Sequence, residues 1–201
     1  MNSRSISSDS AKAGGGGQSG RAGRKEAILK FDKSIIPGMM QSILTQTRYV
    51  LEQEAALVVE GAEAVECDVK RLHLHDITAI AGLGGPISLL IAFSFERRLL
   101  QAIFERVTLD IEVSPDELDM HVRDAAAETV NTILGLCTAD FQNIEKSVSL
   151  SPPVILDDAR CIHRPRNAVF ASMRIRTEHG YLGVGLVGPR EMFDQHLNYQ
   201  H

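Results

Sequence analysis

From Ser34 onward apolar residues recur at helical spacing. Ile36, Met40, Ile43, Thr47, Val50 and Leu51 fall near one face, with Pro37 tolerated in the first turn. The pattern predicts a helix to about Gln53. Between Ala64 and Leu74 the period drops to two, Val65, Cys67 and Val69 alternating with Glu66, Asp68 and Lys70, which is the signature of a half-buried strand. Ile77 to Phe95 is then an uncharged stretch of 19 residues, close to the length a bilayer demands. Gly82, Gly84, Gly85 and Pro86 interrupt it, and Ile77 and Ile80 on one side face Ile87, Leu89, Leu90, Ile91 and Phe93 on the other. Two apolar strands joined by a tight turn are therefore expected, and no membrane span.

Glu96 to Val107 reads as a short amphipathic helix. Ser114-Pro115-Asp116-Glu117 places a Ser cap, a first-turn Pro and two acids in order, so a long helix is expected to start there and run to about Thr138. Val148 to Leu150 and Val154 to Leu156 flank Ser151-Pro152-Pro153, a strand broken by prolines and suited to an edge or bulge. Val169 to Arg176 and Tyr181 to Val187 alternate around Glu178-His179-Gly180, a second hairpin with glycine where positive φ is wanted. Helices interleaved with hairpins imply the α+β class, a mostly antiparallel β-sheet covered by helices, in one domain over about 30 to 190.

Composition sharpens the boundaries. Residues 1 to 25 hold 6 Ser and 6 Gly and no aromatic residue, so they are expected to be a disordered leader, and 191 to 201 a C-terminal tail. The leader carries five basic groups against Asp9, a net of +4, which leaves −9 for residues 26 to 201 of a chain whose total is −5. That balance disfavours phosphate-backbone binding, so no nucleic-acid partner is expected. Cys67, Cys137 and Cys161 are far apart and odd in number, which argues for reduced thiols. No apolar signal region is read in the first 25 residues, and a cytoplasmic location is expected.

Several motifs invite chemistry and lack its context. Gly82-Leu83-Gly84-Gly85 is followed by neither a helix nor a Lys-Ser/Thr pair, so it is read as a turn rather than a phosphate loop. Gly183-Val184-Gly185 lies inside a strand pattern and points to close packing or a bulge. His73 and His75 stand at i, i+2 beside Asp76, a spacing that puts two imidazoles on one strand face, but no third ligand is legible. Exposed histidines are preferred there, and no metal site is expected.

The long helix repays a closer look. At about 100° per residue with Asp124 at 0°, Glu128 lies near 40°, Asn131 near 340° and Gly135 near 20°. Val122, Ala126, Val130, Ile133 and Cys137 gather on the opposite side, so the polar stripe must face solvent or a partner. Read alone, an amphipathic helix needs a polar face of some kind, and geometry by itself favours that bland role for the stripe.

Asp124-x-x-x-Glu128-x-x-Asn131, followed after 21 intervening residues by Pro153, resembles the (Asp/Ser)-x3-Glu-x2-Asn-x21-Pro signature of the CheC/CheX/FliY family of chemotaxis phosphatases. Ile77 to Gly85 is similar to that family's first hairpin, and the order of elements over residues 34 to 188 is similar throughout. Only one Glu-x-x-Asn occurs, which resembles single-site CheX more than CheC. Ala127, Thr132 and Leu136 stand where family members often carry Gly, Met and Gly.

The resemblance implies a phosphatase acting on the aspartyl phosphate of a CheY-type response-regulator receiver, in chemotaxis or related two-component signalling. Asn131 would place the attacking water and Glu128 would pair with the receiver's lysine; these two are the implied catalytic residues. Asp124, Glu128, Gly135 and Pro153 are the implied partner-binding positions. The chain itself is expected to need no cofactor, Mg²⁺ belonging to the receiver, and no general base, no histidine being expected near the stripe. CheX-like proteins join sheets, so a homodimer is implied. A catalytically silent module that binds receivers or motor-switch components is the alternative, and a metal-dependent hydrolase through His73 and His75 a distant third.

Overall fold

A computed structural model describes residues 35–64, 70–85, 88–108, 114, 116–144 and 148–190. The expected leader, the tail, Val65 to Val69 and Pro115 lie outside the described residues. Helix α1 spans Ile35–Tyr49 and closes with a π-helical turn, Val50–Glu54. Strands β1 (Val59–Ala64), β2 (Arg71–His73), β3 (Ile77–Gly84) and β4 (Leu89–Phe95) follow, then α2 (Arg97–Val107) and the long α3 (Leu118–Ile144). The chain continues through β5 (Ser149–Leu150), β6 (Val154–Asp157), β7 (Cys161–His163), β8 (Ala168–Thr177) and β9 (Gly180–Pro189).

Seven strands form one antiparallel sheet in the order β1-β8-β9-β4-β3, with β5 and β6 both laid along the outer side of β3. The period-2 pattern dictates its two faces. Ile77, Ala79, Ala81, Phe93, Phe95, Ile175 and Leu182 point to the helices and are completely buried. They meet Ile43, Leu51, Leu99, Leu100, Val122, Val130 and Ile133 in the principal core. Each Val, Leu, Ile or Phe among them contributes roughly 1.5–3 kcal/mol on withdrawal from water before chain entropy is subtracted, and each Ala less. A second ribbon, β2 with β7, crosses the opposite face, where Leu72 packs with Ala92, Phe170 and Val187.

The α+β class and both hairpins agree with the sequence pattern. Gly180, at φ +125°, starts β9 after the Glu178-His179 turn, and a Cβ there would strike the Glu96 side chain. Most of the strand expected over Ala64 to Leu74 lies outside the described residues, which show β1 up to Ala64 and β2 over Arg71–His73. Glu60 and Glu63 on β1 sit opposite Arg176 and Arg174 of β8, so cross-strand charge rather than apolar alternation marks that strand. Both ends expected for the long helix need correction. Helix α3 begins at Leu118, because Ser114 and Glu117 close a turn of their own: the Glu117 N–H donates to the Ser114 carbonyl at 3.0 Å and Ser114 Oγ to the Glu117 carboxylate at 3.0 Å. It also runs beyond Thr138, held by buried Phe141 and by Ser42 Oγ of α1 donating to Asp140 at 2.7 Å.

Candidate functional site

The site is built on α3. Val122, Ala126, Val130, Ile133 and Cys137 are fully buried, as their spacing requires. Asp124, Glu128, Asn131 and Gly135 are all exposed, so the four form one surface stripe on a helix clamped from both sides. Arg97 of α2 reaches Asp119 at 2.7 Å, and Arg123 reaches Asp157 of β6 at 2.7 Å. The helix is thereby tied to a neighbouring helix and to the sheet edge, which restricts how the stripe can tilt. A Cβ added at Gly135 would meet nothing within 4 Å, so packing inside this chain does not require glycine there. Burial pushes the Cys137 thiol up to about 11, with an opposing hydrogen bond from Ser42; this is a core thiol and no nucleophile.

One flank of the stripe drops into a cleft of about 270 Å³ between α2, α3 and the π-helical turn. Its apolar wall includes Ile103, Phe104 and Val107, and Glu54, Asp124 and Glu128 belong to its lining. Phe104 and His121 stack across it with ring centroids 5.5 Å apart and planes 17° from parallel. The π-helical turn matters here, since its wider winding buries both Val50 and Leu51 while leaving Glu54 exposed at the cleft.

The absence of a histidine near the stripe is thus an expectation the structure overturns. His121 lies near 60° on the same wheel, two turns before Glu128 on the side that lines the cleft, and this angle was available to find it. Asn131 does not line the cleft and stands on the stripe's other margin. Pro153 is not on α3; it is half-buried between β5 and β6, at the edge beside β3.

The other candidate cluster disperses. Strand β2 ends at His73, which is exposed, and His75 turns inward, where its ring comes within 3.8 Å of the Cβ position of Gly183. The His75 N–H donates to Ser94 Oγ, and Nδ1 lies 4.0 Å from Glu96. Asp76 caps α2 instead, accepting from the Arg97 N–H at 2.8 Å. Among the described residues no group of three His, Cys, Asp or Glu is placed to hold a metal ion.

The helix-backed antiparallel sheet with an exposed Glu-x-x-Asn stripe on its long helix is similar to domains of the CheC/CheX type. Residues 77–173 match the family described as chemotaxis phosphatase CheX, so the resemblance to the CheC/CheX/FliY family read from the sequence stands. No curated protein matches the chain. Among solved structures, a chemotaxis protein CheX from Desulfovibrio desulfuricans is 18% identical with a TM-score of 0.60, covering 74% of this chain and 97% of its own. CheX from Vibrio vulnificus is 16% identical with a TM-score of 0.58, covering 74% and 97%. A CheX–CheY–BeF3–Mg²⁺ complex from Borrelia burgdorferi contributes a chain 11% identical with a TM-score of 0.52, covering 79% and 97%. At these identities the structural likeness speaks for the fold. Among the described residues no helix is long and apolar enough to cross a membrane.

Proposed function

We propose that this chain is a phosphatase for the aspartyl phosphate of a CheY-type receiver domain. The carrying observation is that Glu128 and Asn131 stand exposed side by side on a helix whose opposite face is fully buried, inside a stretch that matches the CheX family. The Borrelia CheX bound to CheY with BeF3 and Mg²⁺ supports the partner class. An acyl phosphate on such a receiver already has the receiver's Mg²⁺ and lysine beside it, so the remaining task is to hold a water in line. The Asn131 amide offers the donor and the acceptor that a water needs. Glu128 pairs with the receiver's lysine and fixes the register, an attraction strengthened when docking excludes solvent. Asp124, one turn earlier, adds to the negative field, and Gly135 leaves room for the partner's backbone. Pro153 would act from the sheet edge by holding the β5–β6 connection. The work is done in the cytoplasm, where receivers are found.

The test is dephosphorylation of several phosphorylated receivers. Asn131→Ala is expected to lose roughly a hundredfold or more of the acceleration while keeping much of the affinity. Glu128→Ala should weaken docking, and Glu128→Lys should weaken it more through like charges at the contact. Wild-type protein that binds a phosphorylated receiver without hastening its decay beyond the Asn131→Ala variant would make the chain a silent binding module. Self-association is a separate proposal, implied by the resemblance: a homodimer at micromolar concentration, overturned by sedimentation showing only a 22.0 kDa species.

A further inference from the structure

We infer that the cleft beside Glu128 is the specificity dock of this enzyme, and that it takes from the receiver one apolar side chain flanked by lysine or arginine. The inference rests on the phosphatase reading and deepens it. Three features carry it. Val107, at the end of α2, is 63% exposed although it belongs to an apolar wall shared with Ile103 and Phe104, so uncovered apolar surface stands at the mouth. Glu54, Asp124 and Glu128 line the same cleft and none of its lining residues among the described ones is Lys or Arg, which selects a cationic visitor and disfavours an acidic one. The cleft is continuous with the stripe, because Asp124 and Glu128 belong to both.

The size is equally restrictive. A volume of about 270 Å³ is too small for a helix and suits one or two side chains projecting from a helix laid across it. Its wall is preformed, Phe104 being stacked on His121, so little ordering is needed when a side chain enters. Asn131 lies outside the cleft, which separates the jobs: the cleft decides which receiver stays and Asn131 decides how fast its phosphate leaves.

The experiment measures two quantities on one receiver. Affinity is read by calorimetry with the receiver loaded with beryllofluoride and Mg²⁺, and KM and kcat from dephosphorylation. Val107→Lys and Glu54→Lys alter exposed positions and should each raise Kd and KM by roughly tenfold. Meanwhile kcat should stay within about twofold, since the water-placing group is untouched. Glu105→Lys, exposed on α2 and outside the cleft, is the control and should leave both quantities in place. Unchanged Kd in both cleft variants, with Asn131-dependent acceleration intact, overturns the dock and leaves the phosphatase reading standing. Wild-type protein that neither binds nor accelerates any receiver overturns both. If Val107→Lys instead converts a dimer to a monomer without moving Kd, a second copy of this chain occupies the cleft and the dock is refuted.

Discussion

Two places in the chain bring polar, ligand-like side chains to regular spacing, Asp124/Glu128/Asn131 on α3 and His73/His75/Asp76 around β2, and the fold treats them in opposite ways. On α3 the opposite face is completely buried over four turns, so rotation of the helix is fixed and the stripe is held outward. Around β2 the strand is three residues long and stops at His73. Beyond that point period two no longer governs: His75 turns against Gly183 and Asp76 turns to cap α2. Spacing places side chains only as far as the element carrying them continues. A long helix with one buried face preserves a constellation; a short ribbon dissolves it into an exposed His73 and two unrelated structural roles.

The sharpest way to break the contrast within α3 is to compare neighbours. Ile133 is fully buried and Asn131 exposed two residues away. Ile133→Ala should cost about 2–5 kcal/mol through lost burial and the cavity left behind. Asn131→Ala should change stability by no more than about 0.5 kcal/mol. Urea titration of the two variants checks both values, and equal destabilisation would mean that the helix faces are not divided as described.

The ribbon side has its own dependence on fit. A Cβ at Gly185 would collide with the Leu72 side chain, the residue through which β2 packs on the sheet. Gly185→Ala is therefore expected to cost roughly 1–3 kcal/mol by overpacking. In a Leu72→Ala background the same change should cost distinctly less, because the clash has been removed. Additive costs in the double mutant would show that the glycine serves its strand and not the ribbon above it.

Legibility in the sequence followed the same rule of element length. The 3.6 period of α3, with Val122, Ala126, Val130, Ile133 and Cys137 on one side, is enough to set the stripe's direction. Both hairpins were readable because their strands run seven to ten residues with glycine at the turn, the first as a continuous apolar run and the second as an alternation. Strand β1 was not, since Val59–Ala64 is held by cross-strand charge and carries little apolar alternation. The ribbon partner β7 has three residues, too few for a period. The cleft was invisible for a further reason: it joins Glu54, Phe104, His121 and Glu128 from three elements, and only tertiary packing brings those together.

Gly135 tests the stripe from its outer end. Its missing Cβ relieves no contact within the chain, so a helix-interior glycine here only lowers helix stability. Gly135→Ala should stabilise the fold by about 0.5–1 kcal/mol, read as a higher denaturant midpoint. If the space serves a docking receiver, the same variant should raise KM for that receiver. A more stable protein with unchanged KM would remove Gly135 from the partner-binding surface and shorten the stripe to Asp124, Glu128 and Asn131.

The smallest expected effect belongs to His75 and takes the form of a pH slope. Burial lowers its pKa below 6.5; Arg174 lowers it further, while the nearby carboxylates of Glu96 and Asp76 oppose the shift. In the unfolded chain the imidazole recovers its ordinary affinity for a proton. As pH falls through 6.5 the unfolded state therefore binds protons before the folded one does, and stability drops. The contribution is fully present above that pH and is lost as pH falls toward the depressed folded value. His75→Gln should remove this increment of acid sensitivity while leaving the backbone N–H to donate to Ser94 Oγ. The measurement is denaturant unfolding at several pH values between about 5 and 7.5, comparing the two proteins so that titrations they share cancel. Parallel pH profiles would mean that His75 is hydrated alike in both states, and that its inward turn against Gly183 is looser than the packing of Leu72 beside it.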